Sequence, residues 1–130
     1  MDLKELVAVS GLPGLYKLVT SRSNGLVVAD IDSGKTRFAS LRKHQFTPLE
    51  TVGIYTYTDT TELKEIFKSM ILNPPPEGKV ENSKYFDYFE MILPDFDKDK
   101  VYLSDIKKII KWYEFLKKRD MLASGSDEEE

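Results

Sequence analysis

The spacing of apolar residues changes along the chain. In the first part they recur at intervals of two, and after a run of three prolines they recur at intervals of three and four. A period of two places alternate side chains on opposite faces of a strand, whereas a period near 3.6 places them on one face of a helix. The pattern therefore predicts an α+β protein, with a β-rich module followed by a helical module.

Short runs of β-favouring residues predict the strands of the first module. Residues 15–19 and 26–31 are separated by Asn24-Gly25, a dipeptide that favours a hairpin turn. Residues 35–41 and 52–57 predict two further strands. Short strands joined by tight turns are typical of a small SH3-like β-barrel, since a sandwich needs more strands.

Helical segments are predicted to flank these strands. Asp2 is placed to cap a short helix that extends to about Val7. Residues 47–50 combine a capping threonine, a proline and a glutamate in the spacing of one helical turn. Residues 59–62 resemble a capping box, and the apolar stripe after them predicts a helix that reaches Ile71. The first module is therefore predicted to combine a barrel with flanking helices.

A proline-rich segment marks the predicted boundary between the modules. Residues 73–80 contain three consecutive prolines, which cannot continue a helix and favour extended backbone. We interpret this segment as a linker between a barrel module of residues 1–72 and a helical pair of residues 81–122. Residues 123–130 are polar and acidic, so we predict a disordered tail there.

Two helices are predicted in the second module. Ser83 can cap the first of them, in which apolar and aromatic residues over 85–93 share one face. Ser104 can cap the second, which has a continuous apolar stripe over 106–116. Each stripe must be buried, so the two helices are expected to pack against each other.

The apolar arc of the last helix is wider than one buried face requires. Trp112 and Phe115 project away from the centre of the stripe to which Tyr113 belongs. Large aromatic side chains are favoured anchors in protein interfaces. We predict that Trp112, Tyr113 and Phe115 contact a protein partner or another copy of the chain. Burial against the preceding helix is the alternative.

Composition excludes several classes of protein. No apolar run approaches the roughly 18 residues of a membrane-spanning helix, and the acidic start does not fit a secretory signal. The chain has no cysteine, which excludes disulfides, a thiolate nucleophile and thiolate metal sites. We expect a cytoplasmic protein without a membrane segment.

Charge is unevenly distributed along the sequence. The formal net charge is −3, but residues 15–48 carry six cationic and two acidic residues. Arg37, Arg42 and Lys43 lie in or beside predicted turns, close in sequence to Phe38. Cations beside exposed aromatic rings are typical of single-stranded nucleic-acid binding by small barrels. A solvated rim, a contact with an acidic protein partner and docking within the chain itself are the alternatives for this basic stretch.

The sequence has one pattern that suggests a metal. Asp95, Asp97 and Asp99 occupy the first, third and fifth positions of a calcium-binding loop. The sixth position is Lys100 instead of glycine, and the twelfth is Ile106 instead of glutamate. We therefore interpret the segment as a solvated loop between helices and predict no metal site.

No catalytic apparatus is evident. His44 is the single histidine, and no Gly-x-Ser-x-Gly motif accompanies it, so a serine triad is not supported. No glycine-rich phosphate-binding motif is present. We predict no catalytic residue and no cofactor, although a pair of carboxylates acting as acid and base is an open alternative.

Two stretches carry a resemblance. LKELVAVSGLPGLYKLV near the start and VYLSDIKKIIKWYEFL near the end resemble an uncharacterised family of short Bacteroidota proteins with domains of unknown function. The resemblance implies a barrel-like first part, a helical second part and a bacterial cytosolic setting, and it implies no activity. We predict a non-enzymatic protein-interaction module or adaptor, and the alternative is a nucleic-acid-associated factor.

Overall fold

Five antiparallel strands form a single sheet in the first part of the chain, in the order β4-β3-β2-β1-β5. A short 3-10 helix, Leu49–Thr51, follows the last strand. The computed structural model describes residues 3–12, 14–78, 80–119 and 121–122. The strands are Leu6–Val9 (β1), Tyr16–Arg22 (β2), Gly25–Asp30 (β3), Thr36–Ser40 (β4) and Phe46–Pro48 (β5).

The hairpin predicted between β2 and β3 is confirmed, but its turn lies one residue earlier. Arg22 pairs with Gly25, so Ser23 and Asn24 form the turn. Gly25 belongs to β3, where a Cβ atom would lie 2.2 Å from the carbonyl oxygen of Ala39. The glycine is required by this close approach of two strands.

The first strand replaces the helix predicted near the N-terminus. Asp2, the predicted cap, lies outside the described residues. Leu6–Val9 pairs with β2 on one side and with β5 on the other. Leu6, Val7 and Val9 are all buried, so this central strand is covered on both faces. A short apolar run of that kind has no alternation by which to distinguish a strand from a helix.

One face of the sheet carries its apolar cluster. Partly buried Leu12, Leu26 and Phe46 pack against this cluster. Because cross-strand neighbours share a face, the paired strands bring these side chains together. The cluster consists of Val7, Val9, Tyr16, Val28 and Ala39.

The sheet is open, which corrects the predicted closed barrel. β4 and β5 stand at its two ends, and no pairing joins them in the described part of the chain. β5 has three residues and ends at Pro48, which has no N–H to donate to a further strand. The strand predicted at 52–57 is present as Gly53–Tyr55 (β6), but it pairs with Thr60–Glu62 (β7) in a separate two-stranded sheet.

The chain after Val52 forms a second compact unit. Its helices are Leu63–Leu72 (α1), Asn82–Ile92 (α2) and Leu103–Lys118 (α3). All three were predicted from their apolar stripes, and the structure confirms them. The predicted serine caps lie inside the first turns, since Glu81 and Tyr102 precede the helices.

Large apolar side chains fill the second unit. The rings of Phe89 and Phe96 meet edge to face, with centroids 5.1 Å apart. Phe67 in α1 faces Tyr113 in α3 at 6.3 Å. Both centroid distances lie in the range of favourable aromatic pairs, and the first pair also has the preferred edge-to-face geometry. The largest fully buried side chains of this unit are Phe67, Phe89, Phe96, Leu63, Ile66, Met70, Ile106 and Leu116.

The proline-rich segment lies within the second unit, whereas it was predicted to separate two modules. It connects α1 with α2, which pack against each other. The hydroxyl of Tyr88 donates a hydrogen bond to the carbonyl of Asn73 at 2.5 Å, and Pro75 is buried. Residues 53–72 therefore belong with the helices, because α1 buries its apolar stripe there. The predicted tail, 123–130, lies outside the described residues.

Candidate interaction site

The three aromatic residues predicted as anchors on α3 are mostly covered. Trp112 is 8% exposed and Tyr113 is 3% exposed. The hydroxyl of Tyr113 donates to the carbonyl of Met70 at 3.3 Å, so this residue joins α3 to α1. Phe115 is partly exposed, and the guanidinium of Arg119 lies 3.6 Å from its ring centroid. We take Tyr113 as a packing residue, and partner binding by Trp112 and Phe115 stays a prediction.

The three predicted basic residues lie together at one end of the first unit's sheet. Arg37 is in β4, and Arg42 and Lys43 form the turn that follows this strand. Ser40 organises the turn, because its carbonyl accepts the N–H of Lys43 and its hydroxyl oxygen accepts the N–H of Arg42. All three cationic side chains are exposed.

His44 holds this basic turn to the rest of the sheet. Its Nδ1 atom lies 2.8 Å from the carbonyl oxygen of Ser10. The hydroxyl of Ser10 accepts the N–H of Gln45 at 2.7 Å. The one histidine of the sequence therefore has a structural role in positioning the cations.

Two hydrogen bonds fix which backbone groups of β4 face its neighbour. The N–H of Asp30 donates to the carbonyl of Lys35 at 2.8 Å, just before the strand. The N–H of Leu41 donates to the carbonyl of Asn24 at 2.9 Å, just after it. In an antiparallel pair, hydrogen-bonded and non-bonded positions alternate. These two bonds therefore determine the direction of every backbone group between them.

The alternation leaves an open backbone edge. Arg37 and Ala39 pair with β3 through hydrogen bonds, since they lie two and four residues from Lys35. The N–H and C=O groups of Thr36 and Phe38 point away from the sheet. No strand pairs with this side of β4 in the ranges that the structure describes. Two consecutive donor and acceptor pairs are thus free to bind a further strand.

Phe38 forms an exposed apolar platform beside this edge. Its ring lies against the backbone of β3, where a Cβ atom on Gly25 would be 2.8 Å from the ring. The side chain is 46% exposed. The glycine therefore allows the ring to lie on the sheet while one side remains open to solvent.

The edge is also strongly basic. No aspartate or glutamate occurs from residue 33 to residue 49, whereas Lys35, Arg37, Arg42 and Lys43 all do. All four are exposed, and none forms an ion pair within the described residues. We call this region, with Thr36 and Phe38, the basic edge. Its charge favours an anionic ligand.

The loop with the calcium-like spacing is organised by its own backbone. A side-chain oxygen of Asp97 accepts the N–H of Asp99 at 2.9 Å, and its carbonyl accepts the N–H groups of Lys100 and Val101. Among the residues that the structure describes, no group of three acidic or histidine side chains is arranged to hold a metal.

The cations of the basic edge are evident from the sequence, but its open backbone groups are not. Thr36 and Phe38 matter here through main-chain groups, whose direction depends on the register with β3. The strand prediction at 35–41 was the available signal, but the sequence also predicted a following strand at 52–57, which in the structure pairs with β7 instead. A membrane-spanning helix, which needs both length and a strongly apolar sequence, is not found in the part of the chain that the structure describes.

These features define an α+β protein with an open antiparallel sheet and a helical unit. Residues 52–116 match the family model described as domain of unknown function DUF6852, and residues 3–49 match domain of unknown function DUF5606. The chain therefore belongs to the family defined by DUF6852, with a DUF5606 match before it. The division between the matches agrees with the two structural units.

A solved structure is also similar. It is the solution NMR structure of a Bacteroides vulgatus protein from the Northeast Structural Genomics Consortium, with 29% sequence identity and a TM-score of 0.69. The match covers 88% of this chain and 85% of that one. Comparison with curated proteins gives no match. The resemblance to an uncharacterised Bacteroidota family is thereby confirmed.

Proposed function

We propose that this protein is a non-enzymatic protein-interaction module that binds an extended segment of a partner along the basic edge. The observation that carries this proposal is the pair of outward-facing backbone positions, Thr36 and Phe38. An added strand satisfies such groups with main-chain hydrogen bonds and gains specificity from alternate side chains. The partner would become the sixth strand of the sheet.

The two edge strands of the sheet, β4 and β5, differ in their suitability for the addition of a further strand. β5 has three residues and a proline, which weakens any ladder on its outer side. β4 has five residues without proline, and the exposed ring of Phe38 offers apolar contact beside the backbone. The support for strand addition therefore applies to β4.

A second candidate is nucleic-acid binding by the same region. The four exposed cations of the basic edge favour it, because phosphate contacts dominate such binding and need no sequence readout. Against it stands the single aromatic ring at the edge, since single-strand binding uses successive stacking platforms. An SH3-like arrangement of the strands and a cytoplasmic location stay predictions, and the absence of cysteine from the sequence is compatible with the second.

The test is to select linear peptides from a displayed random library on the purified chain, and then to measure their affinity for two variants. Thr36→Pro removes one outward-facing N–H. No hydrogen bond to β3 is lost, because this N–H lies on the outer side of the edge strand. Thr36→Ala removes the same side chain but keeps the N–H. We expect selected peptides to bind the proline variant roughly tenfold more weakly and the alanine variant unchanged.

Two results would overturn the proposal. One is that the selection yields no linear peptide. The other is that the peptides bind Thr36→Pro as tightly as the wild type while circular dichroism shows an intact sheet. Binding of single-stranded oligonucleotides at low salt, in place of peptides, would support the second candidate.

A further inference from the structure

We infer that the segment bound at the basic edge alternates acidic and apolar residues. This inference rests on the proposed function and adds the chemistry of the partner. It follows from the way in which β4 distributes its side chains between the two faces of the sheet.

The two faces of β4 differ in chemistry next to the open edge. Lys35 and Arg37 are two residues apart, so their side chains lie on one face. Thr36 and Phe38 lie on the other face, where the ring of Phe38 rests against β3. An added strand alternates its side chains between the same two faces. Its residues would therefore meet cations and an aromatic platform in turn.

The charge of Lys35 and Arg37 determines which residues of the bound segment are favoured on the cationic face. Opposite charges on neighbouring strands stabilise pairing, and like charges directly opposite destabilise it. Lys35 and Arg37 have no ion-pair partner among the described residues. Acidic side chains in the partner would pair with these two cations, while Arg42 and Lys43 add to the attractive field at one end of the strand.

The same charges argue against a second copy as the occupant. Edge-to-edge pairing of two β4 strands would bring the four cations of one copy beside the four of another. Charged side chains on an edge are a common means of preventing such self-association. The positive charge of the basic edge therefore opposes pairing with a second copy of the chain and favours a negatively charged segment.

Apolar side chains suit the second face. Phe38 is 46% exposed, and an aliphatic residue in the added strand would cover its ring. Aromatic and β-branched residues form favourable cross-strand pairs. Valine and glutamate in alternation are thus the simplest sequence that satisfies both faces.

The probes are capped synthetic peptides at neutral pH, measured by fluorescence anisotropy. One alternates valine with glutamate, one valine with glutamine and one valine with lysine. A fourth has the valine–glutamate composition in two blocks, which breaks the alternation. We expect the alternating acidic peptide to bind roughly tenfold more tightly than the glutamine peptide and the block peptide, and the lysine peptide least. Added salt should weaken binding of the alternating valine–glutamate peptide.

A charge-reversed protein provides the matched variant. Lys35→Glu with Arg37→Glu changes two exposed side chains and no backbone group. We expect this variant to prefer the lysine peptide. Equal binding of the wild type to all three alternating peptides, still lost in Thr36→Pro, would overturn the acidic partner and leave strand addition intact.

Other outcomes concern the proposed function itself. Tight binding of the acidic peptide that is unchanged in Thr36→Pro would overturn strand addition, because the contact would then be charge alone. Failure of every peptide would overturn both proposals. Displacement of the acidic peptide by a single-stranded oligonucleotide of higher affinity would replace both with nucleic-acid binding.

Discussion

The end of α1 in the helical unit and the outer edge of β4 in the sheet unit differ in how their polar backbone groups are satisfied. At the end of α1, the carbonyl groups of Met70 and Asn73 accept hydrogen bonds from the hydroxyls of Tyr113 and Tyr88. Helix ends need such partners, because their last carbonyls have none within the helix. The outer edge of β4 has donors and acceptors without a partner strand in the described chain. The end of α1 is thus satisfied by side chains of its own unit, and the outer edge of β4 leaves bonding capacity at the surface.

Two phenylalanines, Phe89 in α2 and Phe38 in β4, show the same contrast. Phe89 is fully buried and packs edge to face on Phe96. Phe38 lies on a glycine with nearly half of its surface open. Phe89 therefore stabilises the core of the helical unit, whereas Phe38 offers contact area at the basic edge. Stability and binding are therefore expected to respond to mutations in different places.

The largest expected effect is in the helical core. Phe89→Ala leaves a cavity against Phe96, and it should lower the free energy of unfolding by about 3–5 kcal/mol. The matched substitution Phe38→Ala should cost about 1 kcal/mol or less, because the ring is half exposed. Urea denaturation followed by circular dichroism measures both. A cost at Phe38 equal to that at Phe89 would remove the contrast between the units.

Proline substitutions at neighbouring positions of β4 distinguish the bonded side of this strand from its open side. Arg37→Pro removes an N–H that bonds to β3, and it should destabilise the protein by about 2 kcal/mol because the carbonyl of buried Val28 loses its donor. Thr36→Pro should cost about 0.5 kcal/mol or less, because its N–H faces outward. The midpoints of chemical denaturation distinguish the two. Equal costs would mean that the register of β4 is not as described.

Alkaline pH should weaken the helical unit. Burial raises the pKa of the Tyr88 hydroxyl, and the nearby Tyr113 raises it further. Burial also raises the pKa of Tyr113. The unfolded chain releases these protons from about pH 10, while the folded chain still holds them, so stability is full below that pH and is lost as pH rises above it.

Tyr88→Phe tests this dependence. It should cost about 1 kcal/mol at neutral pH through loss of the bond to Asn73, and it should flatten the decline in stability above pH 10. Tyr57→Phe is the matched control, because its ring is exposed and the substitution should leave the slope unchanged. Thermal unfolding at a series of pH values gives the slopes. An unchanged slope in Tyr88→Phe would contradict the role given to its burial.

The smallest effect is expected at the helical unit's surface. Lys98 and Glu90 form an ion pair at 3.1 Å with both side chains about half exposed. Solvent screens such pairs, so Lys98→Ala should change the free energy of unfolding by about 0.5 kcal/mol or less. Urea denaturation measures this change. A larger decrease in the free energy of unfolding would show that the loop after α2 contributes more to stability than its exposure suggests.

Sequence patterns predicted the helices better than the sheet. The stripes of α1, α2 and α3 have a clear helical period, so their existence followed directly from it. β1 was mistaken for a helix because Leu6–Val9 is buried on both faces and has no alternation. The boundary was placed at the prolines because proline ends helices, although the same property also suits a turn inside one unit.

The candidate site was only partly visible in the sequence. Its cations were recognised at Arg37, Arg42 and Lys43 from local composition alone. The open groups of Thr36 and Phe38 depend on which residues of β3 lie opposite them, and strand register is a long-range property. A closed barrel would also have covered this edge. Pairing partners and edges therefore had to come from the fold.

Amide hydrogen exchange, resolved residue by residue, measures whether the outer edge of β4 is open and whether it accepts a strand. In the free protein, the N–H groups of Thr36 and Phe38 should exchange rapidly, and those of Arg37 and Ala39 should be protected by their bonds to β3. Addition of the alternating valine–glutamate peptide should slow exchange at Thr36 and Phe38 and leave their two neighbours as they were. Uniform protection along β4 in the free protein, or no slowing at Thr36 and Phe38 when the peptide is bound, would contradict an open edge that accepts a strand.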